Sequence, residues 1–132
     1  MEYNEFITHV QSLAQSNSRA EAERATRATL ETIKERIGSD AAKELAAQLP
    51  NELSNYLEAI QEESAQSFKL QEFIARTSQK ENIDPIIAVN HVRAVFTVLE
   101  NAVTPEKFTA FHTHFSHDYE ELFTSAPTRE VS

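Results

Sequence analysis

The chain has 132 residues and a formal net charge of −9, with 12 Lys and Arg against 21 Asp and Glu, one glycine and no cysteine. The length fits one domain with a core of ordinary size, a single glycine argues against glycine-rich phosphate loops and the tight turns of an all-β fold, and the lack of cysteine removes disulfides, thiol nucleophiles and thiolate metal sites. Both halves are acidic, with 6 basic against 12 acidic residues over 1–66 and 6 against 9 over 67–132, so no cationic patch exists for nucleic acid or for an anionic membrane surface.

Taken in chain order, the apolar period is helical nearly throughout. The start, Met1-Glu2-Tyr3-Asn4-Glu5, has neither the positive region nor the apolar stretch of a signal peptide. Tyr3, Phe6, Ile7, Val10, Leu13 and Ala14 step by three and four and form one apolar helix face. Ser16-Asn17-Ser18 breaks that helix, and Ser18 followed by Glu21 has capping-box spacing. The second helix is predicted from about Arg19 to Ile37, with Ala22, Thr26, Leu30, Ile33 and Ile37 inward. Gly38 follows as a left-handed C-terminal cap. Ser39 or Asp40 then caps a third helix bearing Ala42, Leu45, Ala46 and Leu49. Pro50 ends it and starts a short fourth helix with Leu53, Tyr56 and Leu57. Residues 61–67 read as a polar linker.

The pattern then restarts. Leu70, Phe73, Ile74 and Thr77 line a fifth helix. Asp84-Pro85 opens a sixth, which runs to about Val103 with Val89, Val92, Phe96 and Leu99 on its stripe. Its longest uninterrupted apolar run is Ile86-Ile87-Ala88-Val89, far short of a membrane span. Thr104-Pro105 starts a seventh helix lined by Phe108, Phe111 and Phe115, and Ser116 caps a short eighth with Tyr119, Leu122 and Phe123. Residues 124–132 read as a frayed tail.

The two halves match. Glu5-Phe6-Ile7 recurs as Glu72-Phe73-Ile74, 67 residues later, and from the second helix onward the offset is 66. Arg27-Ala28 corresponds to Arg93-Ala94; Leu30, Ile33 and Ile37 to Phe96, Leu99 and Val103; Leu45, Leu49, Leu53 and Leu57 to Phe111, Phe115, Tyr119 and Phe123. Seven of the eight Phe lie after residue 67, and eleven of the Ala before it. Small side chains of one half facing large ones of the other would fill a shared core. The expectation is all-α: a single domain over 1–123 of about eight helices, built from two tandem four-helix repeats (2–60 and 68–123) that share one core and do not fold well apart.

Tyr3-Asn4-Glu5-Phe6-Ile7, Arg27-Ala28-Thr29-Leu30, Gln48-Leu49-Pro50 and Asp118-Tyr119-Glu120-Glu121-Leu122-Phe123 together resemble the bacterial helical family known as domain of unknown function 2267, over most of residues 3–123. Where that family favours Leu-Pro before Asp-Tyr in the second half, this chain has Phe115-Ser116-His117. The resemblance implies a duplicated, all-helical, bacterial cytoplasmic protein. It brings no activity and no catalytic residues.

Three features could carry chemistry. His112, His114 and His117 crowd six residues and could ligate a divalent metal. However, positions two apart on a helix point in nearly opposite directions, and Ser116 interrupts the segment. Arg27 with Glu5, and Arg93 with Glu72, recur at equivalent places and suggest structural ion pairs that set helix register. The stripe Phe108, Phe111, Phe115, Tyr119 and Phe123 reads as core rather than pocket. Glu62-Glu63 and Glu120-Glu121 are adjacent pairs whose side chains diverge by about 100° on a helix. No catalytic, cofactor or metal residue is therefore assigned. The expected function is a non-catalytic interaction or regulatory module, cytoplasmic, with an acidic surface for a protein partner or a second copy, no cofactor, no nucleic acid and no membrane. The alternative is a metal- or small-ligand-binding protein using His112–His117.

Overall fold

The structure is a computed structural model that describes residues 1–58 and 64–123. Among the described residues there are seven α-helices, two 3₁₀ turns and no strand. The predicted tail at 124–132, and the linker as far as residue 63, lie outside them.

Helix α1 (Tyr3–Ala14) and helix α4 (Leu70–Glu81) have 12 residues each. Both stop at a residue in the left-handed region, Gln15 (φ 54°, ψ 42°) and Asn82 (φ 58°, ψ 51°). Asn tolerates that conformation through its short polar side chain, and Gln does so less readily. Their N-termini are capped differently. Glu2 and Glu5 form a reciprocal capping box on α1. On α4 the Leu70 amide donates to Asp118 Oδ2 at 2.6 Å, a carboxylate from 48 residues further along. Partial burial would raise the Asp118 carboxyl, but the Leu70 amide and the Ser116 hydroxyl outweigh it and hold the group below its ordinary value.

Helix α2 (Arg19–Ala46) covers both the second and the third predicted helices. The helical path breaks at Gly38, whose backbone is not helical, so two helical stretches meet at a kink where the second predicted helix ends and the third begins. Gly38 has φ 88° and ψ 166°, which is not the left-handed cap expected but a region open essentially to glycine alone. The residue is buried, so a Cβ would meet both backbone strain and packed neighbours. Gly38→Ala is expected to lose about 1–3 kcal/mol of stability, measured by urea unfolding; a loss below a few tenths would show that the bend relaxes freely.

Pro50 caps a single turn, α3 (Asn51–Ser54), which tightens into a 3₁₀ turn at Asn55–Leu57. Helix α5 (Pro85–Ala102) starts as predicted, with Asp84 accepting from the Ile86 amide at 2.9 Å. Helix α6 (Pro105–His112) ends one turn earlier than predicted. The chain closes there by short-range bonds, His114 N–H to Phe111 O and Phe115 N–H to His112 O, both 3.1 Å, and Phe115 stays buried. A 3₁₀ turn at His117–Tyr119 leads into α7 (Glu120–Phe123).

Four helices make the frame. α1 packs on α2 and α5, and α4 packs on α5 and α2, so each half is covered by the other. One apolar cluster runs through both, from Phe6, Ile7 and Val10 to Phe73, Phe96 and Leu99. Ala22, Ala25 and Ala28 are buried on α2, while Phe96 sits among Phe73, Phe111, Phe115 and Phe123 with ring centroids 5.5–5.9 Å away. Leu13 departs from the predicted apolar face and is half exposed.

Arg36 pins the halves together. Its guanidinium donates from Nε to Phe68 O (2.8 Å) and from Nη1 to His114 O (3.0 Å). It lies 5.3–5.9 Å from the ring centroids of Phe68, Phe115 and Tyr119. Carbonyl dipoles and ring faces replace the water that burial removes. Tyr119 donates its hydroxyl to the same Phe68 carbonyl at 2.8 Å; burial pushes its pKa up to about 12, against the pull of Arg36.

Candidate functional site

The predicted capping box at the start of α2 forms only by half. Ser18 Oγ accepts from the Glu21 amide at 3.1 Å, but the Glu21 carboxylate does not return to the Ser18 amide, which donates to Ser16 Oγ instead. Glu21 turns inward. Its Oε1 accepts from Ser16 Oγ at 2.7 Å, and its Oε2 lies 3.0 Å from His91 Nε2. On the other side of the imidazole, His91 Nδ1 lies 3.0 and 3.1 Å from the two oxygens of Glu81. α5 supplies the histidine, the last turn of α4 supplies Glu81, and the first turn of α2 supplies Glu21.

Burial grades across the three. The side chains of His91 and Glu81 are 2% and 1% exposed, and that of Glu21 is 33% exposed. A carboxylate accepts only, and a neutral imidazole has one N–H. Two ionised carboxylates on opposite ring nitrogens therefore call for the imidazolium, with both nitrogens donating. Burial alone would push the His91 pKa down, but the hydrogen bond and charge of Glu81, then those of Glu21, hold it above its ordinary value. The Ser16 hydroxyl does most to hold the Glu21 carboxyl below its usual value; burial opposes that, and His91 and Arg24 assist.

The arrangement can hold and move a proton, since a chain of polar groups runs from half-exposed Ser16 through Glu21 and His91 to buried Glu81. It does not form a metal centre. Each ring nitrogen faces a different carboxylate, so no common point is left for an ion. Among the described residues no group of three or more His, Cys, Asp or Glu could hold a metal.

The surroundings are apolar at the surface. Ile86 is 81% exposed, Ile87 46% and Leu13 49%. Leu13 lies at the C-terminal end of α1 and the isoleucines at the N-terminal end of α5. Asn90 Nδ2 ties these two ends together by donating to Ala14 O at 2.9 Å.

The helical frame now bears on identity. A family model described as an uncharacterized conserved protein (DUF2267) matches residues 3–122. The chain belongs to the DUF2267 family. No curated protein matches it.

In this DUF2267 chain the predicted site residues fall apart. His112 Nε2 meets Glu120 Oε2 at 2.6 Å, and its ring stacks on Phe123 at 4.0 Å. His114 and His117 are exposed. His114 borders a crevice of about 20 Å³ with Glu44 and Lys107, room for one water. The predicted Arg27–Glu5 and Arg93–Glu72 pairs give way to nearer partners. Arg27 pairs with Glu31 at 3.2 Å and Arg93 with Glu121 at 2.9 Å. Glu5 closes its own capping box, and Glu72 meets Arg76 at 2.9 Å. An open groove of about 380 Å³ between α2 and α4 gathers Arg24, Arg27 and Lys80, but Glu31 and Glu35 already pair Arg27 and Lys80. Glu62-Glu63 lies outside the described residues.

Sequence reading passed over His91 and Glu81. A signal was present in the offset: His91 corresponds to Ala25 and Glu81 to Ala14, and both alanines are buried. Ionisable residues at positions where the other half has buried alanine mark a site that the fold itself does not require.

Proposed function

We propose that this DUF2267 chain is a non-catalytic interaction module of a bacterial cytoplasmic protein, built as a duplicated four-helix unit. Its docking face is Leu13, Ile86 and Ile87, and its partner is a protein segment with apolar anchors and net positive charge. One observation carries the reading: Ile86 and Ile87 are exposed in the first turn of α5, a helix that Asn90 ties to the end of α1 where Leu13 is exposed. At the repeat offset their counterparts are Ala20, Glu21 and Lys80, so packing does not demand apolar side chains there. Large apolar groups framed by polar ones are the usual anchors of an interface. The net charge of −9 favours encounter with a basic partner. The duplication is supported by Gln15 and Asn82, two left-handed residues spaced by the offset of 67.

The test is amide shift mapping with an amphipathic Lys/Leu peptide. Saturable shifts at residues 13, 86 and 87 are expected, weakened by salt and lost in Ile86→Asp/Ile87→Asp. Binding that ignores those substitutions, or none at all, overturns the docking face. A dimer in native mass spectrometry that Ile86→Asp dissociates would assign the face to a second copy instead.

A further inference from the structure

We propose that Glu21, His91 and Glu81 form a proton-dependent latch, in which the charged imidazole clamps the first turn of α2 and the turn at 15–18 onto α5, and loss of its proton releases them. The inference stands apart from the docking face and holds whether or not that face binds a partner.

Geometry carries it. The three groups come from α2, α5 and α4, and a single ring joins them through both nitrogens. Glu81 is sealed in the interior, while Glu21 stands at the surface. Glu81 therefore fixes the ring, and Glu21 is the half that can swing away. The other polar ties of this end run to α1, Arg19 to Asn4, Tyr3 to Glu23 and the Ser16 amide to Gln11 O. Ser16 and Ser18 are engaged with each other and with Glu21, so His91 is the polar tie of the α2 end to α5. The first helical bond, Ala22 N–H to Ser18 O, is long at 3.4 Å. Deprotonation leaves one nitrogen lone pair facing a carboxylate at 3.0 Å, a contact that repels. The weaker side is the one open to water.

Every element packed on α5 is accounted for. α4 presents Glu81, whose neighbour Lys80 is taken by Glu35 at 3.1 Å. α2 presents Glu21, with the charge of Arg24 acting on it. α1 gives a backbone carbonyl, that of Ala14, to Asn90. α7 gives Glu121 to Arg93, and α6 meets α5 through Phe111 on Phe96 while its His112 pairs with Glu120. Among the described residues no other ionisable side chain bonds His91.

The signs follow from linkage. His91 is raised, so its contribution is complete below about pH 6.5 and is lost as pH climbs through its native value. Glu21 is lowered, so its contribution is complete above its ordinary value and is lost as pH falls through the native one. The latch is closed between those two native values.

The experiment is residue-resolved hydrogen exchange on the full chain from about pH 5 to pH 9, corrected for intrinsic rates, with the His91 ring titrated by NMR on the same samples. Protection of the Glu21 and Ala22 amides is expected to fall about tenfold per pH unit above pH 6.5, until the His91 midpoint is reached. Protection of Leu99, at the far end of α5, is expected to stay well above that of Ala22 at every pH, since it opens only with wider unfolding. Glu21→Gln, a change at the half-exposed position, keeps a hydrogen-bond acceptor and removes the charge; it is expected to flatten the step and leave the Ala22 amide poorly protected at pH 6. Flat protection at Glu21 and Ala22, exchange at Leu99 as fast as at Ala22, or an unchanged step in Glu21→Gln would each overturn the latch.

Discussion

His91→Leu is expected to cost about 3–5 kcal/mol of unfolding free energy at pH 6, because it strands the Glu81 carboxylate in the interior without its partner. Glu81 is the deeper of the two acids, and its contacts with His91 Nδ1 replace the water it gave up on folding. Leucine has a suitable volume for the site but no donor. The double variant Glu81→Leu/His91→Leu removes both charges together. It is expected to recover most of the loss and to match or exceed the parent, as apolar replacements of buried ion pairs often do. Urea unfolding of the parent, both single variants and the double variant closes the cycle. Additive losses would show that the two residues act independently and that His91 is merely packed. At the sequence offsets of 67 and 66 the positions that match Glu81 and His91 are Ala14 and Ala25, both buried and apolar, in line with the expected recovery.

Phe96→Ala is expected to cost about 3–5 kcal/mol, the range for a fully buried aromatic truncated in a core. Phe96 is completely buried, and four aromatic rings surround it, those of Phe73 and Phe123 meeting it edge-on at 5.9 and 5.5 Å. Such edge-on pairs add to the burial of area alone. Because Phe73 comes from α4 and Phe111 from α6, the cavity would touch three helices at once, and collapse around it is restricted. Leu30, 66 residues earlier in the chain, is also fully buried. Leu30→Ala is the control, with a smaller loss expected from fewer removed atoms. Denaturant midpoints for the two variants decide the matter. A loss below about 1 kcal/mol for Phe96→Ala would mean that the aromatic cluster repacks without strain.

Elements with local causes are legible in the residues alone. Apolar residues at three- and four-residue steps placed α1, α4 and α5, and Asp84-Pro85 and Thr104-Pro105 placed two helix starts within a residue. Those signals survive because capping and amphipathic burial act over one or two turns. Ala22, Thr26, Leu30, Ile33 and Ile37 are buried as predicted for the same reason. Tertiary contacts decided the rest. The break at Gly38 is legible, but its conformation, φ 88° and ψ 166° in a buried kink between two helical stretches, is not the left-handed cap that a glycine after an apolar run suggests. Arg27, Arg93, Glu5 and Glu72 took partners set by neighbouring turns and by α7, not by the repeat. The half-made capping box at Ser18 could not be read from its spacing, since the carboxylate that would have completed it is drawn to a histidine 70 residues away. His91 and its acids meet only after three helices have packed. A linear pattern records which side chains turn inward; it does not record which inward-turning charges find one another.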